Sequence, residues 1–167
     1  MTIATTPRPR AGLPALFVSL SVTGLAAFGG AVASRTSAQF YGILDKPSWA
    51  PPAWLFGPVW SVLYLLMAVA AWRVWRASGL GAARPALALY LVQLAFNALW
   101  TWLFFVWRDG AWATAEVLVL WGSIVATIVL FRRHDRVAAA MLAPYLLWVS
   151  FATALTIAVW QRNPSLL

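Results

Sequence analysis

Apolar residues do not alternate along this chain. They come in runs, separated by short clusters of charge. Windows at 11–34, 47–72, 85–107, 110–131 and 137–161 are almost free of charged residues. Each is long enough for a helix to cross a bilayer core, which takes about 20 apolar residues. A membrane β-barrel would show alternating segments of about ten residues, and runs such as LYLLMAVAAW and MLAPYLLWVSFATAL do not alternate. Lipid offers no hydrogen-bond partners, so each spanning segment must pair its own amides. The pattern predicts an all-α integral membrane protein, a bundle of five transmembrane helices at about 12–34, 53–76, 84–107, 111–131 and 137–161. They form a single domain over residues 11–167, preceded by a disordered basic tail, MTIATTPRPR, at residues 1–10. No internal repeat is visible.

Composition supports the membrane reading. The chain is 63% hydrophobic and 10% charged, against about a quarter charged in a soluble domain. The net charge of +8 does not indicate a nucleic-acid partner, because the basic residues sit in the gaps between apolar runs and not on one face. The N-terminal tail and the second and fourth connections carry Arg8, Arg10, Arg73, Arg76, Arg84, Arg132, Arg133 and Arg136. The other side has Arg35, Lys46, Arg108 and Arg162. This asymmetry predicts a bacterial inner-membrane protein with its N-terminus in the cytoplasm, and with the first loop and C-terminus on the opposite side. Arg8, Arg10, the first apolar run and Ala31-Val32-Ala33 imitate a signal peptide, but the run exceeds the usual 7–15 residues or so. The absence of cysteine rules out disulfides and thiolate chemistry.

Helical spacing groups residues into faces. The first helix aligns Ser19, Thr23, Ala26, Gly30 and Ala33, a stripe of small residues suited to close helix packing or to a ligand wall. The third aligns Tyr90, Gln93, Asn97, Trp100 and Phe104. Asn97 must find a partner in hydrocarbon, either another helix or a ligand. The fourth aligns Trp112, Ala115, Val119, Gly122 and Ala126. Beside this stripe lies Glu116, an intramembrane carboxylate expected to reach headgroups or Arg108 and to act structurally or in gating, with proton chemistry the alternative. The fifth aligns Tyr145, Trp148, Ala152, Leu155 and Val159, with Pro144 bending its first turns. Of the twelve tryptophans, Trp72, Trp75, Trp107 and Trp160 fall at span ends, where indoles anchor at the interface. Trp60, Trp100, Trp112 and Trp148, with Tyr64 one turn beyond Trp60, are expected to converge on one cavity.

KPSWAPPAW, then GPVWSVLYLLM, QLAFNALW and PYLLWVSFATAL, resemble the TspO/MBR family. It comprises the tryptophan-rich sensory proteins of bacteria and the mitochondrial translocator protein, or peripheral-type benzodiazepine receptor. The likeness runs from about residue 12 to residue 164. It implies a five-helix bundle with a Pro/Trp-rich loop 1 lid over a cavity that binds porphyrins and, in many members, sterols and synthetic benzodiazepine-site ligands. Pro47, Pro51 and Pro52 would stiffen that lid, and Pro58 suits the first turn of the next helix. Trp49 and Trp54 would supply flat apolar area. Carried over position by position, the ligand pocket falls on Gly30, Ala33, Phe56, Gly57, Val59, Trp60, Asn97, Trp100, Trp112, Ala115, Glu116, Trp148, Ala152 and Leu155.

This chain also departs from the family pattern. Thr156 and Ile157 replace an Asn-Tyr pair, removing the tyrosine of a sterol-recognition motif. Thr101 and Trp102 replace a proline pair, so the third helix is expected to run straighter.

No metal site or required cofactor is expected. The one histidine, His134, falls in the fourth connection, on the far side from the loop 1 cavity and solvated. An axial haem ligand is therefore lacking, which favours a metal-free tetrapyrrole such as protoporphyrin IX. Arg35 and Lys46 are placed to meet its propionates. Three functions compete: a tetrapyrrole receptor, sensor or transporter; light- and oxygen-dependent porphyrin breakdown, which the family resemblance implies, with Trp60 and Trp148 taking part; and a membrane scaffold without its own ligand. The small-residue stripes also suggest a homodimer in contact with membrane lipid.

Overall fold

The computed structural model describes residues 12–35 and 37–167. The expected basic tail lies outside the described residues. The regular structure of the described chain is all helical: α1 (Leu13–Ala33), α2 (Ser37–Ile43), a 3-10 turn (Ala53–Leu55), α3 (Phe56–Thr101) continuing as a π-helical turn (Trp102–Val106), α4 (Gly110–His134), α5 (Arg136–Met141) and α6 (Ala143–Arg162). Four helical stretches are long and apolar enough to cross a membrane, α5 and α6 counting together.

The 46 residues of α3 would extend about 69 Å if straight, twice a bilayer core. They are not straight. Gly79 has φ 73° and ψ 161°, a conformation open essentially to glycine alone. There the chain reverses: the Tyr64 hydroxyl donates to Asn97 Oδ1 at 2.5 Å, and Gln93 Nε2 reaches Met67 Sδ. In a straight helix residues 64 and 97 would stand about 50 Å apart. The loop expected after residue 76 is thus compressed into one glycine. Ala77, Ala82 and Ala83 favour helix on both sides of it.

Two further departures have local causes. The expected straight end of the third helix instead widens into a π turn, in which the Trp107 amide bonds the Trp102 carbonyl at 2.9 Å. The fifth apolar window breaks at Leu142, so that Pro144 stands in the first turn of α6. Asp135 caps α5, accepting from the amides of Val137 and Ala138, and it pairs with Arg73 at 2.8 Å. Burial raises its pKa, but those two amides and the Arg73 guanidinium outweigh burial and hold it below the ordinary carboxylate value.

Both ends of the molecule are tied. At one end Arg73 meets Asp135, His134 Nδ1 lies 2.8 Å from Ser78 Oγ, and Trp72 Nε1 donates to the Gly12 carbonyl. His134 is therefore half-buried and bonded, not simply solvated. At the other end the Asn163 carboxamide brackets Asp45, donating to its carbonyl and accepting from its amide, each at 2.9 Å. The main core runs between these ends through Met67, Val74, Tyr90, Val117, Ile124, Phe131 and Tyr145.

Candidate functional site

A cavity of about 480 Å³ lies at the Asn163 end, enclosed by α1, α2, the two limbs of α3 and α6. Such a volume suits a drug-sized ligand. Each wall follows from its helix. On α1, Ser19 and Thr23 are spent on packing: Ser19 Oγ donates to the Ala68 carbonyl, and Thr23 Oγ1 shares a hydrogen bond with the Tyr90 hydroxyl. Further along the same helix Ala27, Gly30, Ala31 and Ser34 border open space. The first limb of α3 supplies Phe56, Gly57, Trp60, Ser61 and Tyr64. The second limb supplies Asn97, Trp100 and Thr101, with Phe105 from the π turn, and α6 supplies Trp148 and Ala152.

The aromatic rings interlock around this space. Trp60 leans on Tyr64 with centroids 5.5 Å apart, and Phe56 meets Trp148 edge-on at 5.8 Å. Trp100 stacks on Phe104 at 5.3 Å. The floor is a polar chain. Tyr64 donates to Asn97, Asn97 Nδ2 donates to the Tyr145 hydroxyl at 3.1 Å, and Tyr145 donates to Gln93 Oε1 at 2.9 Å. Its four members sit on different turns of three packed segments, so the network fixes their spacing. The indole N–H groups of Trp100 and Trp148 are enclosed without a hydrogen-bond partner.

Among the described residues no charged side chain lines the cavity. Lys46, expected to meet an anionic ligand, is held by the loop itself. Its ammonium donates to the carbonyls of Tyr41 and Leu44 and lies over the Tyr41 ring. Arg35 is exposed at the end of α1.

Of the residues singled out from sequence, the cavity brings together Gly30, Phe56, Gly57, Trp60, Tyr64, Asn97, Trp100, Trp148 and Ala152. Others lie elsewhere. Ala33 and Leu155 are buried away from it, and Val59 packs against the main core. Trp49 is 49% exposed with its ring against Phe151, and Trp54 is 72% exposed. The fourth helix departs most from expectation. Trp112 is 67% exposed, and Ala115, Val119, Gly122 and Ala126 are exposed with it, so that stripe points out of the bundle. Glu116 is buried, and neither carboxylate oxygen has a hydrogen-bond partner among the described residues. Arg108, its expected partner, lies instead over the Phe40 ring at 4.6 Å. The reason is rotational: Ala113, Val117 and Leu120 are the residues of α4 that pack inward, and they are as apolar as the stripe outside.

Sequence reasoning missed Ser61, Thr101, Phe105, Tyr41 and the α1 row of Ala27, Ala31 and Ser34. Spacing offered a signal for some of them. Ser61 stands one turn from Gly57, and Ala27 and Ala31 flank the Gly30 stripe. Tyr41 gave none, because α2 fell in a segment read as loop.

The TspO/MBR family model matches residues 17–161. This chain belongs to the TspO/MBR family. It is 43% identical over 143 residues to protein CrtK of Rhodobacter capsulatus, covering 80% of this chain and 88% of that one. A tryptophan-rich sensory protein of Cereibacter sphaeroides is 41% identical over 150 residues, 89% of this chain and 92% of its own. The human translocator protein is 41% identical over 128 residues, 75% of each chain. Within this TspO/MBR chain the matched region contains the whole cavity wall.

Proposed function

We propose that this protein is a membrane receptor, sensor or transporter that holds a planar tetrapyrrole such as protoporphyrin IX in the cavity. The observation that carries this reading is the convergence of Trp60, Trp100 and Trp148 on one apolar space of about 480 Å³. Flat aromatic walls favour a flat aromatic guest, each contact adding about 0.5–1.5 kcal/mol beyond burial. With no cation among the described residues of the wall, propionates belong at the rim, near Ser34, Ser37 and Ser61. Sterols and benzodiazepine-site ligands are secondary candidates for the same space.

In this reading the two limbs of α3 count as separate spans, giving five crossings. The placing of Gly12 beside Trp72 and of Asn163 beside Asp45, at opposite ends, supports that count. Arg73, Arg76, Arg84, Arg132, Arg133 and Arg136 then mark the cytoplasmic face of a bacterial inner membrane. The segment from α2 to Leu55 serves as the lid, held by the Tyr41 hydroxyl on the Pro51 carbonyl at 3.0 Å. A homodimer would use the outward stripe of α4, since the stripe of α1 is occupied internally.

The test is titration of protoporphyrin IX against tryptophan fluorescence in detergent. Saturable quenching is expected, reduced in Trp148→Phe and retained in Trp112→Phe, whose ring points outward. Absence of binding at micromolar porphyrin leaves only the scaffold reading. Because Trp60 and Trp148 both border the cavity, light-driven porphyrin breakdown is the second reading. Loss of porphyrin absorbance under illumination in air, faster than in the Trp60→Phe/Trp148→Phe variant, would favour it.

A further inference from the structure

We propose that the ligand enters the cavity sideways from the bilayer, through a slot between α1 and the first limb of α3, while the loop above stays latched. The inference rests on the tetrapyrrole reading for its ligand but on separate geometry for its route. Below the cavity, α1 and α3 are pinned together by the Ser19–Ala68 bond at 2.7 Å and the Thr23–Tyr90 bond at 2.6 Å. Beyond those pins, between the large rings of Phe56, Trp60 and Tyr64, the two helices also present small side chains to the cavity. Ala27 and Ala31 form one rim, and Gly57 and Ser61 form the other. Ala31, Gly57 and Ser61 are exposed. A Cβ placed on Gly57 would meet nothing within 4 Å.

The slot extends well into the spanning segments. Ala27 lies about 9 Å before the end of α1, and Ser61 about 8 Å beyond the start of α3. Their sequence neighbours Phe28, Val62 and Leu65 are 64%, 58% and 56% exposed, large apolar surfaces suited to acyl chains. A hydrophobic planar molecule dissolved in the bilayer would meet this opening without first crossing water.

The route over the top is closed by contrast. Asn163 brackets the Asp45 peptide and also donates to the Val159 carbonyl, and Arg162 approaches the Asp45 carboxylate at 3.5 Å. Phe40 and Leu44 are buried against Phe104 and Val159. Lifting the loop would break these bonds and expose both side chains. Entry through the slot breaks none of them.

The chain has no native cysteine, so the two routes can be separated cleanly. Asp45→Cys/Asn163→Cys, joined by a short bifunctional thiol reagent, locks the loop. Ala31→Phe/Ser61→Phe narrows the slot. Protoporphyrin IX is delivered from phospholipid vesicles, and quenching is followed in time. The locked protein should load within about twofold of wild type. The narrowed one should load about tenfold more slowly, a barrier change of about 1.4 kcal/mol, and should also release its porphyrin more slowly, whereas a mere loss of affinity in the wall would speed release.

Slowing by the lock overturns the proposal, and so does an unchanged rate in the narrowed protein. If wild type shows no quenching at all, the tetrapyrrole reading fails, but the slot remains testable. A nitroxide on Ser61→Cys in vesicles should be relaxed more by oxygen than by a water-soluble nickel chelate. The reverse order places the opening in water and overturns the route. The same measurement decides the case if the narrowed variant does not fold.

Discussion

Asn97 joins three segments of the bundle, so replacing it with leucine tests whether the polar floor holds the cavity in shape. Leucine keeps the branch at Cγ and is bulkier, but Asn97 borders the cavity, which can take the extra bulk, so the perturbation is chiefly the loss of two hydrogen bonds, from Tyr64 and to Tyr145. Side-chain hydrogen bonds between membrane helices are worth about 0.6 kcal/mol on average and about 1.7 at most. The loss is tempered on both sides. The Tyr64 hydroxyl borders the cavity, where water can replace its partner, and Tyr145 keeps its bond to Gln93. The expected cost is therefore about 1–2 kcal/mol, well below that of an uncompensated polar group in hydrocarbon. Thermal unfolding in a mild detergent should show it, and a double-mutant cycle with Tyr64→Phe should recover a coupling near 0.6 kcal/mol. A coupling indistinguishable from zero, or an Asn97→Leu protein more stable than wild type, would refute the floor as a structural element.

Gly79→Ala should cost about 1–3 kcal/mol through backbone strain alone, because its Cβ would meet nothing within 4 Å; Gly81→Ala, with equal room, should be neutral or stabilising in the same melt. Gly110→Ala would drive a Cβ into the Trp160 indole, an overpacking cost of about 1–3 kcal/mol that Trp160→Leu should partly relieve in the double variant. Asp135→Asn tests linkage. Because the folded-state pKa of Asp135 is lowered, its stabilisation is fully present above the unfolded value of about 3.9 and is lost as pH falls through the folded value. The melting-temperature gap between wild type and Asp135→Asn should be constant near pH 6–7 and shrink below about pH 4; a gap that widens in acid contradicts the assignment.

Much of this molecule can be read from residue order because lipid removes alternatives. A charge-free window must become a helix, and both ends of α1 and α4 and the C-terminal end of α6 lie within a few residues of the windows. The aromatic-proline stretch at 46–60 announced both the family and part of the cavity wall. Asn97 was legible because an amide in hydrocarbon must point at something, and the structure supplies Tyr64 and Tyr145. The contraction of the second connection to Gly79 was not legible. A glycine among alanines reads equally as loop or as helix, and only the packing of Tyr64 on Asn97 decides it. The helix in the first loop was hidden for a related reason. Ser37–Ile43 is too short for its periodicity to speak, and it is held by Phe40 and Tyr41 against distant segments.

Residue order by itself determined that this chain is a helical membrane protein rich in indoles. It did not determine which indoles face the cavity. In water, polar residues mark the outside of a helix, but in lipid the outside is as apolar as the core. Trp112 and Trp148 therefore look alike on paper, one on an exposed stripe and one against the cavity. Only the rotation of each helix about its axis, set by the small contacts of Ser19, Thr23, Gly110 and Asn97 with their neighbours, separates the wall of the chamber from the face turned to the membrane.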